Sequence, residues 1–140
     1  MTKSFSSDID IVVVDTNVVS YIWKRDTRGT LYTPHLTGRQ WLMAAQTFAE
    51  LEAWPLKNGW GAARHEALRN YLNNYTFAEV DKAVCLQWAK VQANAKRIGR
   101  LISEAAAWIA ATALAFAAPL ITHNPDDFKY VPGLTVISEK

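Results

Sequence analysis

Ile11-Val12-Val13-Val14-Asp15-Thr16-Asn17-Val18-Val19 is the stretch that decides how this chain folds. Four consecutive β-branched residues leave no polar face. The run 9–14 therefore fits a strand covered on both sides, as in a parallel sheet. Asp15 stands where the strand stops, and Thr16 or Asn17 is able to cap a helix reaching to about residue 24. A strand that hands over to a helix through an acid opens an α/β unit. It also sets a carboxylate at the carboxyl end of the sheet, where such folds bind ligands.

The rest of the chain continues the alternation. Residues 40–45 read as a second strand, and Thr47 opens a helix that carries Glu50 and stops at Pro55. The intervening 30–38, with Pro34 and Gly38, reads as irregular. A helix is expected over 62–73 with Leu68, Tyr71 and Leu72 on one side, then a short strand at 75–77. The longest helix, 79–97, carries Val80, Val84, Trp88 and Val91 as a core-facing stripe and ends at Gly99. Ser103 caps an alanine-rich helix to about 117, and 119–122 and 134–137 close the sheet across a turn with Pro125, Pro132 and Gly133. Strands alternating with helices give an α/β sandwich with a mainly parallel central sheet, in a single domain over 1–140.

Composition narrows the class. The chain has 140 residues, half of them apolar and a fifth charged, which suits a compact globule rather than a disordered chain. No apolar run approaches the ~20 residues of a membrane span, and residues 1–8 lack the apolar centre of a signal peptide. One cysteine, Cys85, excludes an internal disulfide and suits a reducing cytoplasm; among apolar helix positions it reads as packing. A net charge of +2 does not mark a nucleic-acid binder. Two basic clusters, Lys24-Arg25-Arg28 and Lys90-Lys96-Arg97-Arg100, suit phosphate contacts, although solvated surface is an equal reading of each residue. Of the six tryptophans, Trp88 and Trp108 fall on apolar helix stripes, while Trp23, Trp41, Trp54 and Trp60 suit an interface.

Three acids occupy comparable places: Asp15 after the first strand, Glu50 on the helix after the second, and Asp127 beyond a late strand. Carboxylates from separate segments are what Mg²⁺ chemistry on a phosphodiester requires. Each also has an ordinary reading. Glu50 is three residues after Thr47, the spacing of a capping box. Asp15 complements a helix N-terminus, and Asp126-Asp127 after Asn124-Pro125 suit a polar turn.

Four segments resemble the motifs of PIN-domain ribonucleases, in particular the VapC toxins of bacterial toxin–antitoxin pairs. They are Val13-Val14-Asp15-Thr16-Asn17-Val18-Val19-Ser20, Thr47-Phe48-Ala49-Glu50-Leu51, Ala107-Trp108-Ile109-Ala110-Ala111-Thr112-Ala113-Leu114 and Thr122-His123-Asn124-Pro125-Asp126-Asp127-Phe128. The resemblance runs nearly end to end and in order. It implies a PIN-like α/β/α fold, a homodimer, cleavage of RNA with Mg²⁺ or Mn²⁺, and a VapB-type antitoxin whose tail occupies the acidic cleft. Carried over by position, it implies Asp15, Glu50 and Asp127 as metal ligands and Asp126 as a weaker candidate. It also implies Thr16, Asn17, Thr122 and Asn124 as groups that orient ligands or water. His35, His65 and His123 are left to structural or surface roles.

One position departs from the pattern. Two residues before Trp108 the family places an aspartate, and this chain has Ala106. Glu104 is a poor substitute, because two residues along a helix turn its side chain through about 200°. Alanine is an excellent helix former, so the expectation is an intact fold with an impaired site. The alternative is a catalytically silent PIN domain that binds RNA or antitoxin; a third reading is a metal-dependent DNA nuclease.

Overall fold

Five strands pair in the order β3-β2-β1-β4-β5, every pair parallel. They are β1 (Ile11–Val14), β2 (Gln40–Ala44), β3 (Thr76–Ala78), β4 (Leu120–Ile121) and β5 (Val136–Ile137). The computed structural model describes residues 10–140, so Ile9 and the expectation for residues 1–8 lie outside the described residues. The order runs outward from β1 in both directions, and the reversal falls between β1 and β4. That is the place where strand ends part and leave a crevice.

Both faces of the sheet are covered, as the β-branched run requires. Val12 and Val14 of β1, Met43 of β2 and Ile121 of β4 point into one core. Val13, Leu42, Ala44 and Leu120 point into the other. The first core is closed by α1 (Thr16–Trp23), α4 (Ala45–Lys57) and α5 (Ala62–Leu72), through Val18, Val19, Leu51, Leu68 and Leu72. The second is closed by α7 (Glu104–Ala115), through Ala106, Ile109, Ala110 and Ala113. Small side chains let α7 lie close to the strands. Its outer face meets α6 (Lys82–Ile98) through Ala111 and Ala115 against Ala83 and Val84. Trp88 and Trp108 stack between these helices at 5.0 Å.

Several boundaries differ from expectation, each for a local reason. Residues 30–38 are not irregular throughout: α2 (Thr27–Thr30) and α3 (Thr33–Leu36) are single turns, the first capped by the Asp26 carboxylate on Arg28 N. Gly29 lies so close to α1 that a Cβ there would stand 2.9 Å from the Ile22 backbone. Pro55 does not end α4, which continues to Lys57 with Pro55 buried in its last turn. The Trp54 ring beside it packs on Trp23 and Trp60, and tertiary packing holds the turn that propensity disfavours. Asp81 caps α6 on Val84 N, which starts that helix at Lys82 and leaves Val80 before it, 47% exposed. The stripe that packs is Ala83, Val84, Val91 and Ala95, so Cys85, one residue round the helix, is exposed rather than packed. Ser103 caps α7 as expected, accepting from Ala106 N at 3.1 Å, though the helix ends at Ala115.

Candidate metal centre

The cap residue of α1 is Asp15 itself, not Thr16 or Asn17. Its backbone is still extended, and its N–H pairs with Ile121 O as the last rung between β1 and β4. One carboxylate oxygen, Oδ1, accepts from Thr16 N at 2.8 Å, and Oδ2 accepts from the Thr122 hydroxyl at 2.7 Å. Thr122 follows β4, is fully buried, and accepts in turn from Asn124 N at 3.0 Å. The two strands flanking the reversal are therefore joined through one carboxylate. Asn17 joins them again, its Oδ1 accepting from His123 N at 3.2 Å.

Glu50 is reached by a second set of hydroxyls. The Thr16 hydroxyl stands 2.9 Å from Glu50 Oε1 and 3.0 Å from Thr47 Oγ1. It has one proton, and the charged oxygen takes it more strongly than a neutral hydroxyl does. Thr47 then contributes its own proton to Thr16. The capping-box reading of Thr47 and Glu50 falls with this geometry. Helix α4 starts two residues earlier, at Ala45, with Ala44 as cap, and Thr47 is a fully buried third residue of its first turn. Sequence reading assigned Thr47 no site role. Its link to Thr16 spans 31 residues and has no local signature.

Asp127 belongs to a 3₁₀ turn, Pro125–Asp127, in which its N–H bonds to Asn124 O at 3.2 Å. The turn carries Asp127 into a cleft of about 440 Å³ that is also lined by Asp15, Thr16, Asn17, Glu50, Ala106 and Asn124. Asp126 does not line this cleft. Its side chain is 91% exposed, with Lys129 3.9 Å away. Glu104 is likewise absent from the lining, as the helix rotation requires. Ser20, Tyr21, Trp54 and Ser103 are among the other wall residues.

Among the described residues, those lining the cleft include three carboxylates and no lysine, arginine or histidine. Burial raises the Asp15 carboxyl above its ordinary value. The hydrogen bonds from Thr122 and Thr16 lower it in part, and the charges of Glu50 and Asp127 raise it further. An acid held near two others, without a cation, is an environment made for one. The donors are all oxygens, which suits Mg²⁺ or Mn²⁺. Among the described residues, however, no three His, Cys, Asp or Glu side chains form a ready-made metal cage. Mg²⁺ is commonly held by one or two carboxylates, with water and substrate phosphate filling its shell, so the residues present fit that mode. The α7 wall adds no ligand, because at Ala106 it presents a methyl group.

The histidines are engaged elsewhere. His35 Nε2 lies 3.0 Å from Glu139, His65 lies 3.4 Å from Glu52, and His123 Nδ1 bonds the Tyr32 hydroxyl. In the first basic cluster Arg28 is committed to Asp26 at 2.8 Å and stacks on Tyr21.

A model of the PIN domain matches residues 12–134. Ribonuclease VapC1 of Haemophilus influenzae (strain R2866) is 28% identical over 130 residues, covering 89% of this chain and 94% of that protein. Among solved structures, VapBC-1 from nontypeable Haemophilus influenzae superposes with a TM-score of 0.78 at 25% identity, over 91% of this chain and 97% of the matched one. VapBC2 from Rickettsia felis, bound to a promoter DNA fragment, superposes with a TM-score of 0.82 at 19% identity, over 93% and 99% of the two chains.

Proposed function

The chain belongs to the PIN-domain family, and from that premise we propose that it is a VapC-type toxin: a Mg²⁺- or Mn²⁺-dependent endoribonuclease of structured RNA, transfer or ribosomal, whose activity is impaired by Ala106. One observation carries the reading. Three carboxylates from three segments, Asp15, Glu50 and Asp127, line one cleft at the sheet's reversal point, with no cationic side chain among the described residues of its walls.

Asp15, Glu50 and Asp127 would hold the ion. A divalent cation there supplies neutralisation of the phosphodiester charge and activation of water. The chain's own groups supply the order. Thr122 and Thr16 N fix both oxygens of Asp15, and the Thr16 hydroxyl fixes Glu50. Asn124 shares the network through Thr122 and lines the cleft. Such supporting hydrogen bonds typically change metal affinity or activity by about 10–100-fold when removed. The protein would act in the cytoplasm as a homodimer of single PIN domains; among the described residues no helix is long and apolar enough to cross a membrane. A VapB-type antitoxin is its partner in this reading. An arginine in the antitoxin tail, placed against the uncompensated acids, would exclude the metal.

Ala106 favours a second reading, a silent PIN domain that binds RNA or antitoxin without cutting. The two separate in one experiment: incubation of the parent and the Ala106→Asp variant with structured RNA, unpaired RNA and duplex DNA in Mn²⁺. The toxin reading expects strong cleavage of RNA by the variant. Unchanged, negligible cleavage in a folded variant that binds Mn²⁺ would favour the silent binder. Cleavage of DNA with RNA spared would move the assignment to a DNA nuclease.

A further inference from the structure

Beside the acidic cleft lies a second groove of about 160 Å³, and the two share Ser103 and Asp127. It is built by the end of α6, the link from α6 to α7 and the segment after the 3₁₀ turn. Its lining carries both charges: Asp127, which it shares with the cleft, and Asp126, together with Arg100, whose guanidinium lies 4.9 Å from the centre of the Tyr130 ring. Lys129 Nζ lies 5.3 Å from the same ring and 3.9 Å from Asp126. Among the described residues Arg100 forms no salt bridge.

The groove also leaves large apolar surface open. Leu101 is 98% exposed and Tyr130 46% exposed, although neither has a packing reason to face water. The frame beneath them is fixed. Asn94 Nδ2 donates to Tyr130 O at 3.1 Å, Arg97 donates to Asn94 Oδ1 at 2.6 Å, and Gly99 turns the chain in the left-handed conformation, φ 67°. An exposed aromatic ring on a pinned backbone, with an unpaired guanidinium and an ammonium beside it, is a surface for stacking a base and holding its phosphate.

We propose that this groove is a nucleotide-binding subsite that takes an unpaired nucleotide of the RNA substrate next to the scissile phosphate. Its base stacks against Tyr130 and Leu101, and its phosphate is held by Arg100. The proposal rests on the ribonuclease reading. It names the substrate class at that site as RNA with an unpaired stretch at the cut, because a base inside a duplex cannot present its face to a ring. Asp126 and Asp127 repel phosphate unless a cation occupies the cleft, so the strand has one favourable placement: scissile phosphate at the cleft, flanking phosphate at Arg100.

The chain as it stands suits the test, since weak cleavage leaves the oligonucleotide intact. Binding of a fluorescent unpaired RNA octamer is measured by anisotropy in Mn²⁺, over a range of salt, for the parent and four variants. Tyr130→Ala and Arg100→Ala each weaken binding about tenfold, the scale of one lost base stack or one desolvated cation–π pair. Tyr130→Phe keeps the ring and binds as the parent does. Arg100→Ala also lowers the slope of log affinity against log salt by about one, and Tyr130→Ala leaves it unchanged. Lys90→Ala, on exposed α6 surface outside the groove, produces no comparable loss. Parent-like affinity in both alanine variants, with melting temperatures unchanged, would overturn the subsite and leave the ribonuclease reading intact. Equal losses in Arg100→Ala and Lys90→Ala without a Tyr130 effect would also overturn it, in favour of diffuse charge. Absence of RNA binding by the parent, together with absence of RNA cleavage by Ala106→Asp, would overturn both. Loss of antitoxin peptide binding in the Tyr130 and Arg100 variants, with RNA binding retained, would reassign the groove to the protein partner.

Discussion

The two walls of the acidic cleft are made differently. On one side, β1, α1 and α4 present Asp15 and Glu50, with Thr16, Thr47 and Thr122 bonded to or beneath them. On the other, α7 presents Ala105, Ala106 and Ile109, and of these Ala106 and Ile109 also belong to the second core. The first wall buries Asp15, Thr47 and Thr122, each hydrogen-bonded, beneath the half-buried Thr16 and the exposed Glu50. The second follows packing alone. At Ala106 the second wall carries a methyl group. The contrast teaches that Asp15 and Glu50 share a hydrogen-bonded wall, that Asp127 comes from the separate 3₁₀ turn, and that α7 is shaped by packing.

Restoring the acid should break the contrast most. Ala106→Asp adds a carboxylate facing Asp15, Glu50 and Asp127, and should raise Mn²⁺ affinity on the order of 10²-fold, the scale of one well-placed electrostatic group. Calorimetric titration checks this. Because Ala106 is only 5% exposed, the metal-free variant should lose about 1–3 kcal/mol of stability through its partly buried charge. Melting curves with and without Mn²⁺ should then diverge more than for the parent.

Thr16→Val tests the polar wall. It removes the hydroxyl on Glu50 and Thr47, and should weaken Mn²⁺ binding about 10–100-fold while costing about 1–3 kcal/mol of stability, because the buried Thr47 hydroxyl loses its partner. Ala110→Leu tests the opposite wall and should invert the ratio. Ala110 is fully buried against the sheet, so added methylenes should cost about 1–3 kcal/mol, with Mn²⁺ affinity retained in the folded fraction. If both variants lose metal and stability in equal proportion, the division between the walls is wrong.

Smaller effects are expected at the helix caps. Ser103→Ala removes the side-chain bond to Ala106 N and should cost about 1 kcal/mol in chemical denaturation. Asp26 is a pH marker remote from the cleft. Hydrogen bonds from Arg28 hold its carboxyl down to about 2. A depressed carboxyl stabilises the fold above its unfolded value of 3.8, and the stabilisation is lost as pH falls through about 2. Carboxyl chemical shifts should report that midpoint, and Arg28→Ala should move it upward.

The strand at β1 was legible because a local rule applies: β-branched side chains ask for cover on both faces. The cap of α1, expected at Thr16 or Asn17, falls on Asp15, whose carboxylate accepts from Thr16 N. Glu50 and Asp127 were picked out by their places after strands and by the resemblance of their motifs, not by a cap that forms. Thr47 was not, since its partner lies across the fold, and its sequence neighbourhood offered a cap that does not form. The persistence of α4 through Pro55 was hidden for a related reason. Proline argues against a helix locally, while the packing of Trp54 on Trp23 and Trp60 acts through residues 31 and 6 positions away. Cys85 was misplaced by a single residue of helical phase.

The sequence by itself determined that this chain alternates strands with helices, that three acids end up near strand ends, and that the fourth position is an alanine. These are properties of short segments, where chain connectivity does most of the placing. Only the tertiary structure decided that the acids share one cleft, with no cationic side chain among the described residues that line it, and that threonine hydroxyls from two segments hold two of them. It also decided that an exposed ring and guanidinium continue the cleft into a second groove. Each of these depends on the reversal between β1 and β4, which brings together residues more than 100 positions apart.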